Sequence, residues 1–218
     1  MGRRLRIALV ALAALALPGR APAQFFQEVR LSGALLGGSL KVRSALPTGA
    51  EALSGAVFSG EGRAEWQRFS LTAAYGQGKL DPDTAGPVAR DYVDGSLFLG
   101  GRPVDWLELK VGPYARAYTS NSGVQRWLFW QLRARVDAPL VADRIRGYAE
   151  GWTALAADVS VAETFDGAFG GVAGVVGRVG RSPWSVRVQY AIDETRLGDG
   201  VRRETVEGLT LAVAMGGW

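Results

Sequence analysis

Charged residues carry most of the chemistry available to this sequence, because histidine and cysteine are both absent from its 218 residues. Without them the chain has no Ser-His-Asp or Cys-His nucleophile and lacks the ligands that zinc most often uses. A mechanism based on carboxylates alone or on a Ser-Lys pair stays formally open, but no motif indicates one. We therefore expect a protein that is not an enzyme, with no catalytic residue, no metal site and no cofactor.

A set of charged residues recurs at alternate positions in strand-like segments, as where Glu61 and Glu65 flank Arg63. These residues could form a binding site or a charged constriction, or they could be a network of ion pairs that fills a narrow lumen. Buried charge is tolerated only when it is paired, and small barrels fill their interiors with side chains, so the structural interpretation is favoured. The predicted lumen network consists of Glu61, Arg63, Glu65, Glu108, Lys110, Arg116, Arg133, Arg135, Arg144, Arg146 and Glu150.

Two further features resemble ligand-binding motifs only superficially. The acidic residues of the predicted loops, such as Asp81 and Asp83, do not follow a calcium-loop spacing. The glycine-rich run from 170 to 174 has no phosphate-loop lysine and no strand-then-helix context. Neither feature predicts a ligand.

Strict alternation of apolar and polar residues defines the elements that must position these charges. From 128 to 137 the two faces of the run differ in character. The even positions are all apolar: Leu128, Trp130, Leu132, Ala134 and Val136. The odd positions carry the polar and charged residues along with one aromatic: Phe129, Gln131, Arg133, Arg135 and Asp137. A helix would scatter these charges around its circumference, so the pattern indicates a strand. Extending the rule predicts strands near 27–43, 54–65, 69–80, 89–102, 106–119, 125–138, 144–157, 167–180, 184–195 and 203–217.

The predicted fold is all-β: an up-and-down antiparallel transmembrane β-barrel of about ten strands. The runs are longer than the five or six residues typical of globular strands, and a tilted membrane strand needs about 9–11 residues. Eight or twelve strands stay open, because the Gly37-Gly38 pair could be a hairpin turn and the run from 167 to 180 has no clean polar face.

The connections are predicted to alternate between short turns and longer loops, as in up-and-down membrane barrels. Short turns are expected near 66–68, 103–105, 139–143 and 181–183, and longer loops at 44–53, 81–88, 120–124, 158–166 and 196–202. Four tryptophans fall beside the short-turn end, where an interfacial aromatic girdle would lie: Trp66, Trp106, Trp184 and Trp218.

The first 23 residues have the composition of a secretory signal peptide. A basic start is followed by an apolar run from Ile7 to Leu17 and the small-residue site Ala21-Pro22-Ala23. Its removal takes away four arginines and no acid, which leaves 21 Lys plus Arg against 21 Asp plus Glu. The predicted domains are thus a signal peptide at 1–23 and a barrel at 24–218, with no overall charge that would favour nucleic acid.

These features together resemble the bacterial outer-membrane β-barrel proteins. The resemblance implies a location in the bacterial outer membrane after secretion, contact with outer-membrane lipid, and recognition by the outer-membrane assembly machinery through the C-terminal strand. The segment Leu209 to Trp218 is similar to that assembly signal. Its apolar residues have the opposite parity to Trp218, however, and a bulge at Gly216-Gly217 would restore the phase.

Three functions are consistent with the sequence. The favoured one is a barrel with a largely plugged lumen and a structural, adhesive or narrow small-solute passage role. The alternatives are a soluble exported β-barrel that binds an apolar ligand, with its apolar parity pointing inward, and a histidine-free outer-membrane enzyme. The direction of the apolar face separates the first two.

Overall fold

Ten strands make up nearly all of the described chain in the computed structural model, which describes residues 29–47, 49–83, 88–121, 123–141 and 144–216. They are β1 (Val29–Leu46), β2 (Gly49–Trp66), β3 (Phe69–Pro82), β4 (Arg90–Val104), β5 (Leu107–Ser120), β6 (Gly123–Val141), β7 (Ile145–Val159), β8 (Phe165–Arg178), β9 (Trp184–Leu197) and β10 (Arg202–Gly216). The proposed signal peptide at 1–23 lies outside these residues.

The strands form one closed antiparallel barrel in which each strand pairs with its neighbours in sequence. The first and last strands close it, pairing from Ser32 opposite Gly216 to Ala45 opposite Arg203. The predicted all-β barrel of ten strands is therefore confirmed, and the alternatives of eight and twelve strands are wrong. Within the described residues, no helix has the length and apolar character needed to cross a membrane.

The alternating pattern of each strand separates an inner face from an outer face. On β6, Trp127, Phe129 and Gln131 are buried inside the barrel, whereas Leu128 and Leu132 are exposed on its outer surface. The same division holds on β5 and β9, where the charged parity lies inside. The apolar parity thus points outward, opposite to the orientation that the soluble ligand-binding alternative requires.

Two of the predicted longer loops, at 44–53 and 120–124, are instead two-residue connections between extended strands. The β1–β2 pairing runs as far as Leu46 opposite Gly49, and the β5–β6 pairing as far as Ser120 opposite Gly123. Gly49 and Gly123 have φ angles of 143° and 139°, in the region that favours glycine. The strands therefore continue further at these sites than the alternation alone indicated.

The Gly37-Gly38 pair lies within the continuous strand β1 and makes no turn. A Cβ added to Gly38 would collide with the carbonyl oxygen of Leu209 on β10, so the glycine allows close approach of the two backbones. At the other end of the chain, Gly216 has a φ of 107°, which interrupts regular strand geometry. Trp218 lies outside the described residues.

Candidate functional site

The lumen has two regions along the barrel axis, which we name from the strand ends. The end that holds Val29 and Gly216 is the terminal end, and the other is the distal end. Polar side chains and an open cavity occupy the terminal half. Large, fully buried side chains occupy the distal half.

The terminal half contains a charged vestibule, a cavity of about 410 Å³. Its lining includes six arginines and five acidic side chains, so it is nearly neutral. Residues of the turns, such as Arg68 and Asp105, line it as well, which shows that it lies at the terminal mouth of the barrel.

Arg63 is the centre of one ion-pair group in this vestibule. Its guanidinium Nη2 lies 2.6 Å from Oε1 of Glu108 on β5, and its Nε donates to Oε1 of Glu65 at 2.8 Å. Glu108 also accepts a hydrogen bond of 2.7 Å from the Ser70 hydroxyl, and Arg102 pairs with Glu65 at 3.0 Å. Four strands are thereby joined through their inner faces.

Glu150 is the centre of a second group, deeper in the lumen. It accepts hydrogen bonds from Lys110 on β5 and, at 2.8 Å, from Arg133 on β6. Arg133 also donates to Oε1 of Gln131 and stacks over Phe98, with its guanidinium carbon 4.4 Å from the ring centroid. Every charge in this group has a partner, as burial requires.

The remaining members of the predicted network are arranged in different ways. Arg135 makes a bidentate pair with Asp137 on the same strand, and Glu61 pairs at 3.3 Å with Arg187 across the lumen, rather than with Arg63. Arg146 lines the vestibule without an ion pair among the described residues. Arg144 differs from the prediction: it lies exposed in the turn before β7, outside the lumen, because β7 begins one residue later than the alternation indicated.

A ring of buried side chains occupies the distal half, and we call it the lumen seal after the role proposed for it below. Every strand contributes to it: Val42, Leu53, Leu80, Tyr92, Tyr118, Trp127, Phe129, Trp152, Ala168, Leu197 and Val206. The aromatic members pack against each other, with centroids 6.3 Å apart for Trp127 and Phe129 and 5.7 Å apart for Tyr92 and Tyr118. Side chains fill the interior of an eight-stranded barrel, and a ten-stranded barrel is much nearer to that case than to the open sixteen-stranded porins.

An ion pair crosses the lumen within the seal. Arg116 on β5 and Glu204 on β10 stand on opposite walls of the ring of strands, and their side chains meet at 2.8 Å, each 1% exposed. Tyr118 donates a hydrogen bond of 3.1 Å to the same oxygen of Glu204, and the Arg116 guanidinium lies 5.1 Å from the Trp127 ring centroid. This pair ties the two halves of the barrel wall together.

Between the vestibule and the seal lies a smaller cavity of about 190 Å³. Asp94, Asp193, Tyr114 and Trp152 line it, and Trp152 donates a hydrogen bond of 2.7 Å to Asp193. In the described part of the chain, no three acidic side chains are grouped closely enough to hold a metal ion.

The β7–β8 connection lies against the distal end of the seal. Val161 packs against the seal, and Glu163 forms an ion pair of 3.3 Å with Arg202, which in turn lies over the Trp127 ring. The pKa of Glu163 is lowered, first by a backbone hydrogen bond and then by Arg202. The connection is thus attached to the wall beside the seal.

The predicted tryptophan girdle lies at the terminal end as far as the structure describes it. Trp66 stacks on Phe69 with centroids 6.3 Å apart, and Trp106 and Trp184 are both exposed on or beside their turns. Trp218 lies outside the described residues. Their contact with a membrane interface remains a prediction.

The lumen seal and the role of Glu204 were not predicted from the sequence. A signal existed, since Tyr118, Trp127 and Phe129 all fall on the charged parity of β5 and β6, where aromatic side chains must lie inside the barrel. The cross-lumen partner of Arg116 had no local signal, because 88 residues separate it from Glu204.

No family model matches the chain, and no curated protein matches it either. Similar solved structures include Neisserial surface protein A, at 11% identity and a TM-score of 0.36, with 84% of this chain and 96% of that chain covered. Another is the translocator domain of the autotransporter NalP from Neisseria meningitidis, at 10% identity and a TM-score of 0.48, with 96% of this chain and 94% of that chain covered. A third is Ail, the attachment invasion locus protein of Yersinia pestis, at 9% identity and a TM-score of 0.35, with 84% of this chain and 98% of that chain covered.

At these identities the likeness concerns the fold alone. All three are bacterial outer-membrane β-barrels, the class that the sequence resembles. The fold assignment rests on the described strands themselves, which form a closed, antiparallel, all-β barrel.

Proposed function

We propose that this protein is a non-enzymatic barrel of the bacterial outer membrane with a closed lumen, and that it has a structural or surface-contact role. The lumen seal carries the proposal, because all ten strands contribute a side chain to it. A barrel closed in this way cannot pass solutes unless the seal moves.

The outer surface supports the membrane location. Large apolar side chains are exposed on strands all around the barrel, such as Leu35 on β1, Leu97 on β4, Leu132 on β6, Val188 on β9 and Leu211 on β10. A soluble monomer rarely exposes so continuous an apolar surface, whereas a membrane barrel requires an apolar band about 25 Å tall. A closed barrel also leaves no unpaired strand edge, so its backbone polar groups are satisfied inside lipid.

The charged vestibule supports a structural role for the predicted network. Its carboxylates have cationic or hydroxyl partners, and groups such as Lys110, Arg133 and Glu150 join three strands. We propose that these pairs hold the terminal half of the barrel in shape. We further propose that β10 provides the signal for outer-membrane assembly. We also propose that Trp66, Trp106 and Trp184 contact the periplasmic interface of the outer membrane.

Membrane insertion tests the location. The protein, refolded with phosphatidylcholine vesicles, should float with them in a density gradient, and it should migrate differently on a dodecyl sulfate gel before and after boiling. Expressed in a Gram-negative host, it should fractionate with the outer membrane. Recovery as a stable, detergent-free monomer from the periplasm would overturn the proposal.

A further inference from the structure

A group of cations lies on the outer surface near the distal end, and we call it the basic patch: Lys41, Arg43, Arg196 and Arg203. Their neighbours Val42, Thr195, Arg202 and Glu204 are buried inside the barrel, so the four cations belong to the outward parity. They come from three adjacent strands, β1, β10 and β9. None of them takes part in the lumen network.

Strand register brings the patch together. Arg203 lies directly opposite Arg196, and Arg43 lies opposite Thr205, two residues along β10 from Arg203. Such diagonal neighbours on one sheet face are about 7–8 Å apart, within reach of arginine side chains. Like charges placed directly opposite each other are unfavourable unless an anion lies between them.

The carboxylates of the patch compensate the cations incompletely. Glu194 is shared by Arg196 and Arg203, while Glu207 pairs with Arg43 at 2.7 Å and Asp83 with Lys41 at 3.0 Å. Four cations thus face three carboxylates. The cationic side chains are 42–55% exposed and the carboxylates only 12–27%, so positive charge is what the patch presents outward.

The patch lies where the apolar outer surface ends. On β10 the outward residues Met215, Val213, Leu211 and Leu209 are apolar, and Glu207, Thr205 and Arg203 follow. Because each outward step along a strand is about 6.6 Å, the cations begin within one or two steps of the apolar band. In a bilayer placed around this apolar band, the phosphate groups of the distal leaflet would lie at this height.

We propose that the basic patch binds the phosphate groups of a phosphorylated lipid in the leaflet around the distal end. Arg43 and Arg203 donate to the phosphate oxygens, and the acyl chains lie against Leu209 and Tyr190 below them. Arginine matches phosphate in geometry and bonds it in a charge-assisted manner. The inference rests on the proposed membrane location but adds a specific lipid site to it.

Lipid binding in detergent tests the site without requiring insertion into a bilayer. The folded protein is titrated with lipid A, a phosphorylated glycolipid, and retained lipid is counted by native mass spectrometry. Each cation near an anionic lipid surface strengthens binding about fivefold, so the double substitution R43Q/R203Q should weaken binding about 25-fold. Lipid A with its phosphates removed should bind weakly, and equally, to the wild type and the variant.

The matched control is K79Q/R126Q. These two exposed cations lie on the outward parity at the same end, on β3 and β6, and Lys79 pairs in register with Asp91. The control should bind lipid A as the wild type does. If R43Q/R203Q does not fold, R196Q alone should reduce binding about fivefold.

Three results would overturn the site. They are wild-type binding by R43Q/R203Q, equal losses in the control, or no retention of lipid A by the wild type. Failure of the folded protein to enter vesicles would instead count against the membrane location, because the detergent titration does not depend on insertion.

Discussion

Removal of the Glu204 carboxylate should strongly destabilise the barrel. Glu204 and Arg116 are each 1% exposed and meet at 2.8 Å, so Glu204→Ala leaves a guanidinium buried with one weaker partner, the Thr195 hydroxyl at 3.3 Å. Breaking a fully buried ion pair by removing one partner costs about 3–5 kcal/mol. The Tyr118 hydroxyl loses its acceptor as well, so we expect the upper part of that range.

A control on the same strand separates burial from charge. Glu207 pairs with Arg43 at 2.7 Å on the outer surface, where Arg43 is 52% exposed, and exposed pairs contribute about 0–1 kcal/mol. Glu207→Ala should therefore lower the free energy of unfolding by at most about 1 kcal/mol. Urea unfolding of each variant in lipid vesicles, followed by tryptophan fluorescence, measures both losses of stability.

A third variant tests the origin of the loss. Replacing both partners by apolar residues, as in R116M/E204L, removes the stranded charge and should recover most of the stability lost in Glu204→Ala. Equal losses for Glu204→Ala and Glu207→Ala would refute the reasoning, since the cross-lumen pair would then be no more desolvated than the surface pair. Water would have to reach the seal.

Three other changes have defined outcomes. Leu132→Arg at the middle of β6 should cost about 2–4 kcal/mol in vesicles if its outward face contacts lipid, and an unchanged unfolding curve would contradict lipid contact there. Gly38→Ala should lower the free energy of unfolding by about 1–3 kcal/mol, because the added Cβ collides with the backbone of β10. Gly62→Ala has open space around the added Cβ and should lower it much less. Equal effects of the two changes in urea unfolding would argue against a close approach of β1 and β10. The pKa of Glu163 is lowered first by its backbone hydrogen bond and then by Arg202, so the stability from these contacts is present above the ordinary pKa of 4.5 and is lost as the pH falls below it. Wild type and Glu163→Gln should therefore differ in unfolding at neutral pH and converge in acid, and a constant difference would refute the stabilising role of these carboxylate contacts.

The strands and their orientation could be predicted from sequence because both follow from a local pattern. Alternation such as that from Leu128 to Asp137 needs no knowledge of distant residues, and it indicated both the strand and its division into two faces. The inner position of the charged face followed only from the membrane-barrel interpretation. Strand ends were harder to predict, since the tight hairpins at Gly49 and Gly123 depend on backbone conformation rather than on hydrophobicity. The loop lengths at 44–53 and 120–124 were wrong for that reason.

Partners across the lumen could not be predicted, because they depend on how strands far apart in the sequence face each other. Arg63 lies between Glu61 and Glu65 in sequence, yet it bonds Glu65 and Glu108 while Glu61 reaches Arg187. The lumen seal is a collective feature of the same kind. Its members come one or two from each strand, and the only local signal for it was the aromatic residues on the charged parity of β5 and β6.

Electrical conductance across a planar lipid bilayer tests the closed lumen most directly. The wild-type protein, inserted and shown by gel shift to be folded, should produce no steady single-channel current, because the seal fills the distal cross-section. A variant that thins the seal, W127A/F129A, should show current if it remains folded. Large, steady conductance in the wild type would contradict the account and would make solute passage the function to pursue.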